Sequence, residues 1–170
     1  MKRKSLHVRI RPIVRGDIDQ IPRISGQVHH SLKSQRSRFF GEIREFSKSE
    51  DFYIRVLKKR KSQEIFVAEV PNGEIVGYVY VIIEKRPDDL TSIPYVSIEE
   101  IAVDKEYQNR GVGKALMDKA REWVQGRNIK IIQLATWEFN KNARRFFESL
   151  GYKTIMRKME LVLPQSRETS

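Results

Sequence analysis

The sequence predicts an α/β (α+β) domain with one mixed, mostly antiparallel sheet of six to seven strands flanked by helices. Three observations carry this reading. Short runs of β-branched and aromatic residues, such as Ile65-Phe-Val-Ala68 and Ile75 to Ile83, are bounded by turn residues, as strands are. Between and after them, apolar residues recur at helical spacing, as in Val112, Leu116, Ala120, Trp123 and Val124. The two kinds of segment interleave over 170 residues without an internal repeat or linker, so one sheet covered by helices buries every apolar face. A single domain is expected over residues 1–163, with 164–170 as a loose polar tail.

Val8-Arg-Ile10-Arg-Pro12 alternates and starts the sheet. A helical stretch opens at Gly16-Asp17 and runs through Ile18, Ile21 and Ile24, with Pro22 tolerated in its first turn. Residues 26–50 are polar, and helix with loops is expected there. Asp51 to Lys61 reads as a helix whose basic end complements the negative C-terminal dipole. Glu64 to Val70 and Glu74 to Ile83 flank Pro71-Asn72-Gly73; proline presets the turn and Asn-Gly supplies positive φ, so this is a hairpin. Arg86 to Asp89 is a loop, Tyr95 to Val103 a strand, and Gly111 to Gln125 a helix stopped by Gly126. Lys130 to Thr136 is a buried strand. Asn140 caps a last helix with Ala143, Phe146, Phe147 and Leu150 on one face, Gly151 ends it, and Tyr152 to Leu163 alternates as a final strand.

Composition narrows the chemistry. No run of about 18 apolar residues is present, so no membrane helix is expected. The basic start, Met1 to Ile10, lacks the apolar centre of a signal peptide, which points to a cytoplasmic location. The absence of cysteine removes disulfides, thiolate metal ligands and an acyl-cysteine intermediate. The histidines are His7, His29 and His30; they form no metal-ligand spacing and read as surface or locally bonded residues, so no metal is expected. A net charge of +11 attracts polyanions, with basic groups at Lys2 to Lys4, Lys58 to Lys61 and Arg144-Arg145. A solvated basic surface accounts for this charge, and the sharper alternative is a phosphate-bearing partner such as RNA or the ribosome.

The most informative segment joins a strand end, Ile101-Ala102-Val103, to a helix through Gln108-Asn109-Arg110-Gly111-Val112-Gly113-Lys114. A loop of this kind aims free backbone N–H groups and a positive helix end at whatever lies above it, which suits a pyrophosphate. It is not a Walker loop, because Gly111-Val-Gly113-Lys114-Ala115 lacks the spacing. Nor is it a dinucleotide fingerprint, because Leu116 stands where the third glycine belongs.

The pattern Gln108-x-x-Gly111-x-Gly113 resembles the coenzyme A loop of the GNAT superfamily of acetyl-CoA-dependent N-acetyltransferases. A second segment, Asn140-x-x-Ala143-x-x-Phe146-Phe147-x-x-x-Gly151-Tyr152, is similar to that family's later motif, and the resemblance covers about residues 64–163. It implies a GNAT-like acyl-CoA acyltransferase fold, with acetyl-CoA as cosubstrate wedged between the strand ending at Val103 and the one from Lys130. It further implies that the backbone of Ile101, Ala102 and Val103 holds the pantetheine arm. The N–H groups of Gln108, Asn109, Arg110, Gly111, Val112, Gly113 and Lys114 would bind the pyrophosphate, and Asn140 and Phe147 would lie against the cofactor. Many members carry tyrosine where Phe147 stands; phenylalanine cannot protonate a departing thiolate, which leaves Tyr107, Tyr152 or water for that step. Phe146 reads as core.

An amine must be neutral to attack, so a proton acceptor helps at pH 7. Glu99 and Glu100 precede the strand end, and strand alternation puts them on opposite faces unless a bulge intervenes. Glu99, sharing parity with Ile101 and Val103, is the first choice, and Glu100 the second; both as solvated or ion-paired residues is the plain alternative. The reading is acetyl transfer to a primary amine (a protein N-terminus, a lysine or a small molecule) by direct attack in a ternary complex. The competing reading is an acyl-CoA-binding module whose basic surface docks RNA or the ribosome. An edge strand near the C-terminus also offers pairing with a second copy of the chain.

Overall fold

The computed structural model describes residues 7–40, 48–85, 93–161 and 163, and for 31–40 the backbone alone. The predicted loop at 86–89 and the tail from 164 lie outside the described residues. Strand β1 (Arg9–Pro12) leads through a 3₁₀ turn at Arg15–Gln20 into helix α1 (Ile21–Phe40), and α2 (Glu50–Lys58) follows. Strands β2 (Gln63–Glu69), β3 (Ile75–Lys85) and β4 (Pro94–Val103) come next, then α3 (Val112–Gln125), β5 (Ile132–Leu134) and α4 (Lys141–Ser149).

The hairpin between β2 and β3 closes as its residues dictate. Gly73 takes φ 87°, its N–H donates to the Val70 carbonyl at 2.9 Å, and Asn72 Oδ1 accepts from the Glu74 N–H at 3.0 Å. The sheet order is β1-β2-β3-β4-β5, antiparallel through β4 and parallel between β4 and β5. Among the described residues the sheet has five strands, where six to seven were expected. Residues 152–161 form no strand, and Ile155, Met156, Met159 and Leu161 are 75–92% exposed. Alternation gives a segment two faces but not a partner, and β5, only three residues long, offers a short edge on which to build a ladder.

The sheet separates two cores. Helix α3 covers one face with Val112, Leu116, Met117, Ala120 and Val124, joined by Phe147 of α4. Gly77 in β3 lets that helix approach, since a Cβ there would stand 3.0 Å from the Ala102 carbonyl and 3.2 Å from Leu116 Cδ1. On the other face, Ile18, Ile21, Ile24, Tyr53 and Val56 pack against Ile65, Val67, Tyr78 and Tyr80. Burying each such side chain contributes about 1.5–3 kcal/mol. Helix α3 ends at Gln125 with Gly126 as its cap, as expected; Gly126 is right-handed with φ −62°, and Asn128 makes the left-handed turn with φ 56°.

Two features of β4 place the site. Opposite β3, Tyr80 faces Glu100 and Val81 faces Ile98, so Glu99 is an extra residue, a β-bulge. The bulge flips the strand's parity: Val96 and Ile98 point to the α3 side, while Ala102 points to the α1 side. Beside β5, the parallel ladder runs only from Val96↔Ile132 to Ile98↔Leu134, so β4 continues from Glu99 to Val103 while β5 diverges.

Candidate active site

At the far end of that divergence lies the glycine loop. Val103 runs into Asp104, whose carboxylate accepts from the Glu106 N–H at 3.0 Å and so begins the 3₁₀ turn Lys105–Tyr107. Asp104 is 3% exposed and also accepts from Gln27 at 3.1 Å and from Arg23, so α1 holds the base of the loop. Burial pushes this carboxyl up, but the bonds from the Glu106 N–H, Gln27 and Arg23 outweigh it and hold it below the usual range.

Gln108 donates to the Val103 carbonyl at 3.0 Å, and Asn109 and Gly111 take left-handed φ of 58° and 86°. Gly111 is the N-cap of α3. The first bond of that helix runs from Ala115 N–H to the Gly111 carbonyl at 3.0 Å, which leaves the N–H groups of Val112, Gly113 and Lys114 ahead of the ladder. The Val112 side chain is buried in the core, so only its backbone faces the loop. A Cβ on Gly113 would meet Phe146 Cζ at 3.3 Å. Arg110 stacks over the Tyr107 ring at 5.7 Å, and Lys114 pairs with Asp118 at 2.6 Å.

Gln108 and Asn109 line a cavity of about 500 Å³ with Asn142, Arg145 and Phe146 of α4. Asn142 and Arg145 escaped the sequence reading as site residues, although their spacing with Phe146 on one helix gave a signal. Arg145 makes no ion pair among the described residues, whereas its neighbour Arg144 is engaged with Glu138 at 2.7 Å. Phe146 packs against the α3-side core, as expected, but only in part. Phe147 is 8% exposed within the α3-side core, and Phe146, read as core, borders the cavity. Helical spacing puts both on the apolar side of α4 but cannot rank their depth. Asn140 spends its side-chain carbonyl as a cap, accepting from the Ala143 N–H at 3.2 Å.

At the other end, beside the bulge, stands Glu100. Its Oε1 accepts from the Tyr78 hydroxyl at 2.7 Å and from Ser25 Oγ at 3.2 Å, and lies 3.5 Å from His29 Nε2; its Oε2 contacts Lys48 Nζ. The side chain is 13% exposed. Burial raises its pKa, but the charge of Lys48, the bonds from Lys48 and Tyr78 and the charge of His29 bring it below the ordinary carboxylate value. Glu100 is therefore ionised at neutral pH. Tyr78 is pushed far up, first by burial and then by the Glu100 charge, and stays a phenol donor. Glu99, the first choice from sequence, is exposed at the bulge, although its charge reaches the Tyr80 phenol.

Backbone donors at a helix start, a strand that leaves its parallel neighbour, and a largely covered, ionised carboxylate at the point of divergence stand together along β4. The first suits an anionic group and the last a cationic one. Residues 29–152 match the acetyltransferase (GNAT) family model, and the chain belongs to that family. It is 36% identical over 108 residues to an uncharacterized N-acetyltransferase of Methanocaldococcus jannaschii, across 60% of this chain and 44% of that protein. It is 32% identical over 111 residues to an N-alpha-acetyltransferase of Sulfurisphaera tokodaii, across 61% of this chain and 64% of that one. The matched stretch thus spans about half the length of the first of these relatives. In fold, the chain resembles a crystallised Bacillus halodurans protein with TM-score 0.82 at 22% identity, covering 91% of this chain and 99% of that one. No group of three or more His, Cys, Asp or Glu fit to hold a metal occurs among the described residues, and no helix among them is long and apolar enough to cross a membrane.

Proposed function

We propose that this protein transfers acetyl from acetyl-CoA to a primary amine by direct attack, with Glu100 rather than Glu99 as the carboxylate at the reaction centre. The observation that carries this is the divergence of β4 from β5 between the Gly111–Gly113 helix start and the largely covered Glu100. The backbone from Ile101 to Val103 lies beyond the parallel ladder and, apart from the Val103 carbonyl that accepts from Gln108, offers its open edge to an extended pantetheine arm, with a main-chain N–H polarising the thioester carbonyl. The N–H groups of Val112, Gly113 and Lys114, with Arg145 nearby, suit a pyrophosphate.

The acceptor arrives as an ammonium and has no lone pair until it loses a proton. Glu100, ionised and held by Tyr78, draws that proton directly or through a water. The nitrogen then attacks the carbonyl carbon, the C–S bond breaks, and the pair leaves on sulfur. Phe147 has no proton to give. Tyr152 packs edge-on to Phe147 at 5.9 Å, and Tyr107 lies in the loop beneath Arg110. One of these phenols or water protonates the thiolate. With no cysteine in the chain, a covalent acyl-cysteine is excluded.

Calorimetric titration with acetyl-CoA, with ATP as comparison, tests the reading. Saturable binding that favours acetyl-CoA and thiol release on adding amines are expected. Binding no better than ATP would leave the loop as a general anion trap and refute it.

A further inference from the structure

The reaction centre already contains an amine. Lys48 reaches Glu100 Oε2, and its Nζ stands 5.0 Å from the Phe52 ring centroid and 5.3 Å from that of Tyr80. Those two rings meet edge to face, with centroids 5.3 Å apart and planes at 88°. Both ring distances lie within cation–π range, about 6 Å. The Lys48 side chain is 20% exposed, so its methylene stem is covered as well. A carboxylate, two aromatic faces and a sleeve for four methylenes form a receptor for the end of an alkylammonium chain.

Nothing in local structure requires this contact. Lys48 precedes Ser49, the N-cap of α2, and lies outside the helix. A cation at a helix N-terminus opposes the macrodipole, so α2 gains nothing from having it there. A side chain anchored outside the helix can also leave without unwinding it. Tyr78 and Ser25 both occupy Oε1, so Oε2 is the oxygen that a visiting ammonium would take.

We infer that the pocket of Glu100, Tyr78, Phe52 and Tyr80 is the acceptor subsite, that it selects the unbranched primary ammonium of a lysine-like chain, and that Lys48 holds it as an internal competitor. The inference rests on the acetyl-transfer reading above. When an acceptor displaces Lys48, the acceptor's ammonium takes the place beside Oε2, so the proton it must lose already faces the carboxylate that receives it. Of the two protons the nitrogen gives up, one passes through Glu100 to solvent and the other ends on the thiolate as the C–N bond forms and the C–S bond breaks.

The test compares the wild-type chain with Lys48→Met, which keeps the stem and removes the charge, and Lys48→Gln as a second, polar replacement. Acceptor probes are Nα-acetyl-lysine methyl ester and glucosamine, at saturating acetyl-CoA, with thiol release as readout. Binding of n-pentylamine is measured separately by calorimetry, and melting curves confirm folding. The expected result is a fall of about tenfold in KM for the lysine ester in both variants, and tighter n-pentylamine binding that Glu100→Gln abolishes. An unchanged or higher KM and unchanged n-pentylamine affinity in the folded variants would overturn the competitor role of Lys48. Turnover of glucosamine without the lysine ester would overturn the subsite alone, while failure to bind acetyl-CoA or to acetylate either probe would overturn the transfer reading beneath it.

Discussion

Replacing Gly113 by alanine separates two demands that the glycine loop places on its residues. Gly113 lies in the first turn of α3, where alanine favours the helix by up to about 1 kcal/mol. The new methyl would stand 3.3 Å from Phe146 Cζ, a contact that the half-buried ring relieves by moving a few tenths of an ångström. Folding is therefore expected to change little, with a melting temperature within about 4 °C of wild type. The same methyl and the displaced ring stand where a pyrophosphate must meet the Val112–Lys114 N–H groups. Loss of one charge-assisted bond costs about 1.5–3 kcal/mol, which is roughly 10- to 150-fold in Kd.

Gly111→Ala gives the opposite pattern. No atom lies within 4 Å of its missing Cβ, but φ is 86°, so the cost is left-handed strain of about 1–2 kcal/mol, paid in stability. Calorimetric titration with acetyl-CoA measures the first effect and thermal melting the second. A folded Gly113→Ala protein with unchanged acetyl-CoA affinity would refute the assignment of this helix start to the pyrophosphate.

Three further outcomes are expected. Glu100→Gln should lower kcat for amine acetylation about 10²–10⁴-fold at pH 7, while Glu99→Gln, at the exposed bulge, should change it less than threefold; equal effects would return Glu99 to the centre of the mechanism. Arg145→Ala should raise KM for acetyl-CoA about tenfold with little change in melting temperature, because the side chain borders the cavity and is exposed; an unchanged KM would remove α4 from the binding surface. Stability should fall as pH drops below about 4. Asp17 is raised by burial but brought lower by its two bonds from Arg11 and one from the Val14 N–H, and Glu100 and Asp104 are likewise held low. Groups with depressed folded pKa stabilise above their unfolded values and lose that contribution as pH falls through the folded ones. In a melting series from pH 7 to pH 3, Asp17→Asn should flatten this decline, and an unaltered slope would show that Asp17 does not carry it.

The glycine loop and the last helix were legible because their signals are local. Gly111 needs a left-handed φ, the Asn140 side-chain carbonyl accepts from the Ala143 N–H as a cap, and Gly151 ends α4 with φ 90°, each decided by a few neighbouring atoms. The hairpin at Pro71–Gly73 and the apolar stripe of α3 are of the same kind. Lys48, Tyr78 and His29 gave no such signal as partners of Glu100, since 22 to 71 residues of chain separate them from it.

Residue order by itself therefore determined the family motif, most of the element order and two candidate carboxylates before the strand end. Only the tertiary structure told those two carboxylates apart. The bulge at Glu99 is a mismatch between two strands and is invisible in either one alone, yet it turns Glu100 into the α1-side pocket and leaves Glu99 in solvent. Likewise, the different depths of Phe146 and Phe147 depend on how α4 sits against the core. The missing last strand depends on whether an edge exists to receive it. Periodicity states what a segment can bury, and packing chooses what it does bury.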